Sequence, residues 1–264
     1  MNTLAANIAP VLEQQPAALP SAEIAAAIEV REGRLRDLLG VDYDYARSSG
    51  LIDLFDYHPE TGEDGLIHIL AGDLDTGDGA VAIPGGYHHE ESGRLWGTVT
   101  GENGEERPAT RVDRGHMESG NSAHRKKFRE HPAEPYIARV AIGDRPKMAL
   151  SPDGGVVPTN NAMYPKEYDP LAVMQAVRMA YEGADIANGR PSVDDHGRPV
   201  IIADGQATLI DGASEMTVRL IINAENKRVE TAFPLTNGKA IMGLSEADMM
   251  AHATYQTPTS AVRN

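Results

Sequence analysis

Two apolar, partly alternating runs near the C-terminal end, Glu215 to Ile222 and Arg228 to Phe233, are separated by Asn223-Ala224-Glu225-Asn226. That composition suits a hairpin turn. A hairpin is antiparallel, so this part of the chain reads as a sheet, with Val200 to Ala203 as a further strand. Upstream, Asp169-Pro170 opens a helix: aspartate sits at the cap and proline in the first turn. Leu171, Met174, Val177 and Tyr181 follow on one face as core residues, and Gly183 ends it. Tyr136 to Ile142 alternates as a strand.

The first 60 residues have a different texture. Ser21 is a good N-cap, Ile24, Ala27 and Ile28 form an apolar stripe, and a second helical stretch runs from Glu32 to Leu39 and stops at Gly40. This region resembles a helix-turn-helix, but with 4 Arg against 10 Asp plus Glu it has the wrong sign for reading a duplex. A packing or docking module is expected instead. Pro59 to Gly65 is a plausible boundary, followed by Gly65 to Leu70 as helix or strand and Ala80 to Pro84 as a strand. Residues 91–134 are polar and read as loop, and they hold the dense basic run His124 to Arg129, either a solvated turn or a phosphate-contacting patch. The expected division is 1–60, 61–245 and a tail, 246–264.

The chain has 264 residues, enough for a substantial core, and no apolar run approaches the ~20 residues of a membrane span. No signal peptide is visible, leaving a cytoplasmic life or delivery without a classical signal. The net charge of −15 repels phosphate backbones at long range and argues against a DNA coat protein. Cysteine is absent, which excludes disulfides, thiol nucleophiles and thiolate metal sites.

Most of the 9 histidines sit in polar contexts and read as solvated: His58, His116, His131, His196 and His252. Two contexts differ. His68 lies in "GLIHILAGD", an ionisable ring in an apolar element, and His88 lies in "GGYHHE", after glycines that let backbone approach a ligand. Two imidazoles serve as general base and general acid near neutral pH. RNA cleavage by internal attack needs that pair, plus a lysine or amide to offset phosphorane charge. A rival is a metal site from His88, His89, Glu90 and another histidine, although HEXXH is absent.

"GLIHILAGD", "GGYHHE", "NNAMYPKEYDPLAVMQAV" and "RVETAFPL" occur in an order similar to that of the EndoU superfamily of endoribonucleases, particularly its bacterial toxin branch. His68 to Asp73 resembles the family's H-[IV]-[LF]-x-G-[DE], Gly85 to His88 its G-G-x-H, and Thr231 to Pro234 its T-x-[YF]-P. "AMYPKEYDP" resembles a segment, [ST]-x-F-P-K-x-W-[ST], that precedes a helix in bacterial members. The likeness covers roughly residues 60–240.

The resemblance implies an α+β fold: two packed antiparallel β-sheets with outer helices, the active site in a groove between them, here preceded by a small helical N-terminal region. It implies cleavage of single-stranded RNA, often at uridines, leaving a 2′,3′-cyclic phosphate and a 5′-hydroxyl, with no metal or other cofactor. His68 and His88 would be the acid/base pair. Lys147 is the best candidate for the lysine, with Lys126, Lys127 and Arg145 competing. Thr231 and Phe233 would hold the substrate near its base, joined by His89, Asn161 and Tyr164. Phe233 stands where many members have tyrosine. The toxin branch implies a cognate immunity protein as partner. Other readings are a non-catalytic RNA- or protein-binding module on the same scaffold, and a metal-dependent hydrolase using His88 and His89.

Overall fold

The computed structural model describes residues 21–73, 86–100, 104–112, 133–142, 145–146, 148–150, 156–158, 160–194 and 196–235. Within them the chain is α+β and its strand pairs are antiparallel. The helices are α1 (Ala22–Leu39), α2 (Tyr43–Ser48), α3 (Gly65–Ala71) and α4 (Pro170–Gly183). The strands are β1 (Tyr57–His58), β2 (Glu63–Asp64), β3 (Thr98–Thr100), β4 (Glu106–Pro108), β5 (Thr110–Val112), β6 (Tyr136–Ile142), β7 (Arg145–Pro146), β8 (Met148–Leu150), β9 (Val156–Pro158), β10 (Asn160–Met163), β11 (Arg190–Val193), β12 (Pro199–Thr208), β13 (Glu215–Asn223) and β14 (Val229–Leu235).

Two sheets dominate. The larger has the order β11-β12-β13-β14, the smaller β10-β6-β5 with β7 also on β6. The expected hairpin is β13–β14, closed by Asn223 N–H donating to the Arg228 carbonyl at 2.8 Å. The predicted cap also forms: Asp169 accepts from Ala172 N–H at 2.7 Å and α4 begins at Pro170. Val173, Met174, Ala176, Val177 and Ala180 of α4 are buried. At Gly205 of β12 a Cβ would stand 1.9 Å from the Ala180 carbonyl oxygen, so only glycine lets helix and sheet approach this closely.

The N-terminal region differs from expectation. Ile24 to Leu39 is one continuous helix rather than two, because no proline interrupts it and Gly33 is tolerated within it. Its expected stripe is not the packed one. Ile28 is exposed, and the buried residues are Arg31, Leu35 and Leu39, one turn apart further along. Leu35, Leu39, Tyr43, Ile52 and Phe55 join α3, α4 and the larger sheet in one core. A second core lies under the smaller sheet, from Tyr87, Val112, Tyr136, Ala138, Val140 and Met163.

The stretch read as loop, 91–134, begins with a short 3₁₀ helix, Glu91–Trp96, and then carries β3, β4 and β5. Short strands with polar, half-exposed side chains give little apolar periodicity. Packing holds them: the Trp96 indole N–H donates to the carbonyls of Ala71 (3.0 Å) and Gly72 (3.1 Å). The basic run 124–129, the expected strand 80–84 and the tail 246–264 lie outside the described residues. No helix of the described residues is long and apolar enough to cross a membrane.

Candidate functional site

The site is organised by the C-terminus of α3. Asp64 caps its start, accepting from Leu66 N–H (2.9 Å) and Ile67 N–H (3.1 Å), and Gly72 with φ +76° ends it. A helix leaves its last carbonyls without intrahelical partners. Here the segment around His88 supplies them: Tyr87 N–H donates to the His68 carbonyl at 2.9 Å and His88 N–H to the Ile69 carbonyl at 2.7 Å. Two histidines twenty positions apart are thereby set on adjacent backbone.

The approach is close enough to dictate residue type. Gly86 has φ +68°, and a Cβ there would lie 1.9 Å from the His68 carbonyl oxygen. Tyr87 is also left-handed, at φ +64°, a conformation that costs a non-glycine residue about 1–2 kcal/mol. Its ring is fully buried, and its hydroxyl donates to the Glu90 carbonyl at 2.8 Å. From the other side, the Asn161 amide donates to the carbonyls of Gly86 (2.7 Å) and Tyr87 (3.0 Å).

Both candidate rings are oriented through Nδ1. That of His68 donates to Asp73 Oδ2 at 2.5 Å, and the ring is 22% exposed. That of His88 donates to the Ala162 carbonyl at 2.6 Å. A carbonyl only accepts, so neutral His88 carries its proton on Nδ1 and its lone pair on Nε2. The His88 ring stacks on Phe233 with centroids 5.5 Å apart and planes inclined by 28°. Thr231 and Phe233 are both half-buried and two apart on β14, hence on one face of the strand.

Three expected substrate contacts are instead internal. His89 is 3% exposed with both nitrogens engaged: Nε2 donates to the Tyr168 carbonyl at 2.9 Å, and Nδ1 lies 2.6 Å from Ser92 Oγ. Burial holds its ring below the ordinary imidazole range. These partners leave it no lone pair for a metal, and Glu90 accepts from the Tyr136 hydroxyl at 3.1 Å, so the His88/His89 metal cluster is not what these residues build. Tyr164 is 1% exposed, and Asn161 holds the loop rather than facing solvent. Lys147, Lys126 and Lys127 lie outside the described side chains, as does that of Arg145.

Asp73 received no role from the sequence, although it ends the "HILAGD" motif; the carbonyl of Ala162 had no side-chain signal at all. Among the histidines read as solvated, His58 is three-quarters shielded, 3.1 Å from Asp56 Oδ2, whereas His196 is mostly exposed beside Glu63. Compared with known proteins, the chain matches no family model, no curated protein and no solved structure.

Proposed function

We propose that the chain is an EndoU-type endoribonuclease in which His68 and His88 act on one phosphodiester of single-stranded RNA, in a groove between the two main sheets. The observation that carries the reading is the docking of the Gly86–His88 backbone onto the α3 carbonyls, which brings together the two backbone segments that bear the Nδ1-anchored imidazoles.

The anchors suggest a division of labour. His88 Nε2 takes the proton from the 2′-hydroxyl as the O2′–P bond forms. His68, whose Asp73 partner carries the charge complementary to a protonated ring, gives its proton to the 5′-oxygen as the P–O5′ bond breaks. The products are a 2′,3′-cyclic phosphate and a 5′-hydroxyl. Phe233, against the His88 ring, offers an apolar surface to ribose or base, and Thr231 a hydroxyl beside it.

Incubating a uridine-containing oligoribonucleotide with the wild-type protein and with H68A and H88A tests this. Each substitution is expected to slow cleavage about 10²–10⁴-fold, with cyclic phosphate ends from the wild type. Full activity in either variant removes that histidine from the mechanism. Binding of intact RNA without any product would identify a binding module instead.

A further inference from the structure

We propose that Asp56, His58 and Glu230 form a divalent metal site that takes Zn²⁺ and ties β1 to β14, separately from the histidine pair above. Their candidate donor atoms, one from each residue, all lie within 4.8 Å of one another. Asp56 and His58 are two apart on extended backbone, which puts both side chains on one face. Asp56 N–H donates to the Val229 carbonyl at 2.9 Å, bringing that face to the start of β14.

Glu230 reaches the same point because of a bulge. Ile221 pairs with Thr231 and Ile222 with Val229, so Glu230 is the extra residue, outside the alternation of its strand. Bulges re-aim side chains in this way.

Two of the three residues carry an orphaned ligand atom. His58 Nε2 and Glu230 Oε1 are both shielded from solvent and neither has a hydrogen-bond partner. Asp56 Oδ2 lies 3.1 Å from His58 Nε2, yet the pair is not aligned as a hydrogen bond. Converging ligand atoms that lack hydrogen-bond partners are the arrangement a cation resolves. The nearby Arg198 does not serve, since it is held by Asp194 and by Glu63 Oε2 at 2.7 Å.

A supporting shell is in place. Asp56 Oδ2 accepts from the Asn223 amide at 2.9 Å, and Oδ1 from the Asn226 amide at 2.8 Å and Tyr57 N–H at 3.0 Å. Such outer contacts orient ligands and tune affinity. An imidazole with two carboxylates suits Zn²⁺ above Mn²⁺, and disfavours Mg²⁺ and Ca²⁺, which prefer oxygen alone. Tetrahedral zinc needs ligand atoms ~3.4 Å apart, a spacing within the 4.8 Å that encloses this cluster.

The test is calorimetric titration of Zn²⁺ into the full chain after removal of bound metal with a chelator. One equivalent is expected to bind and to raise the melting temperature, with Mg²⁺ doing neither. H58N and E230Q, which keep shape, are each expected to weaken Zn²⁺ binding at least ~100-fold and to abolish the thermal shift. Co²⁺ substitution reads the wild-type site without any variant: a visible absorption band displaced by one equivalent of Zn²⁺ is expected. Absence of both Zn²⁺ uptake and the Co²⁺ band overturns the proposal. So does unchanged affinity in folded H58N and E230Q, which would put the ion elsewhere.

Discussion

A single hydroxyl separates structural from functional side chains at Tyr164. Its ring is buried, and its oxygen has no hydrogen-bond partner. Burial accordingly drives its phenol far above the ordinary tyrosine range. A buried hydroxyl without a partner costs roughly 1–3 kcal/mol. Tyr164→Phe is therefore expected to raise stability by about 1 kcal/mol in urea denaturation and to leave RNA cleavage unchanged. A large loss of activity with stability intact would return Tyr164 to the substrate side. Asn161 is the opposite case. Also buried, it spends both amide hydrogens on the loop that carries His88, so its effect on chemistry is through position.

At the scale of elements, α3 is the short piece on which the site is built, and it is seven residues long. A helix of this length does not persist alone in water. Its start is pinned by Asp64, which caps it and also accepts from Arg31 of α1 at 2.5 Å, both side chains being buried. Removing one partner of a buried ion pair strands the other charge. Arg31→Met is expected to cost about 3–5 kcal/mol, read as a lower urea midpoint. If the midpoint is unchanged, α1 does not brace α3. The far end of α3 is completed by backbone and indole donors from elsewhere in the chain. This explains why "GLIHILA" alone was ambiguous between helix and strand, whereas α4, with a cap, a proline and a full apolar face, was legible outright.

At the scale of the whole molecule, the buried His89 couples folding to pH. Burial is the leading cause that lowers its pKa from the ordinary imidazole value of 6.5, so the folded ring stays neutral where the unfolded one is protonated. The unfolded state then binds more protons below 6.5, and stability rises with pH in that window. The contribution is complete above 6.5 and is lost as pH falls from there toward the depressed folded value. The slope from one such group is at most about 1.4 kcal/mol per pH unit. Denaturation midpoints measured between pH 5 and 7 are expected to show this slope in the wild type and a flatter one in His89→Gln. An identical slope in both would place the proton uptake elsewhere.

Local chemistry sufficed for α4, for β6 and for the β13–β14 hairpin, because caps, turn residues and apolar periodicity act within a few positions of themselves. It also singled out His68 and His88, by an apolar flank and a glycine pair. It did not see β3 to β5, each three residues long and too short to show a period, nor that His89, Asn161 and Tyr164 turn inward. Proximity was decided only in three dimensions. His88 lies beside His68 because the last carbonyls of a short helix needed donors and a distant loop had them. Asp56, His58 and Glu230 meet because one extra residue in β14 turns a carboxylate out of its strand's alternation. Both results depend on backbone hydrogen bonds between remote segments, and backbone groups are the same in every residue, so they leave no mark in a sequence.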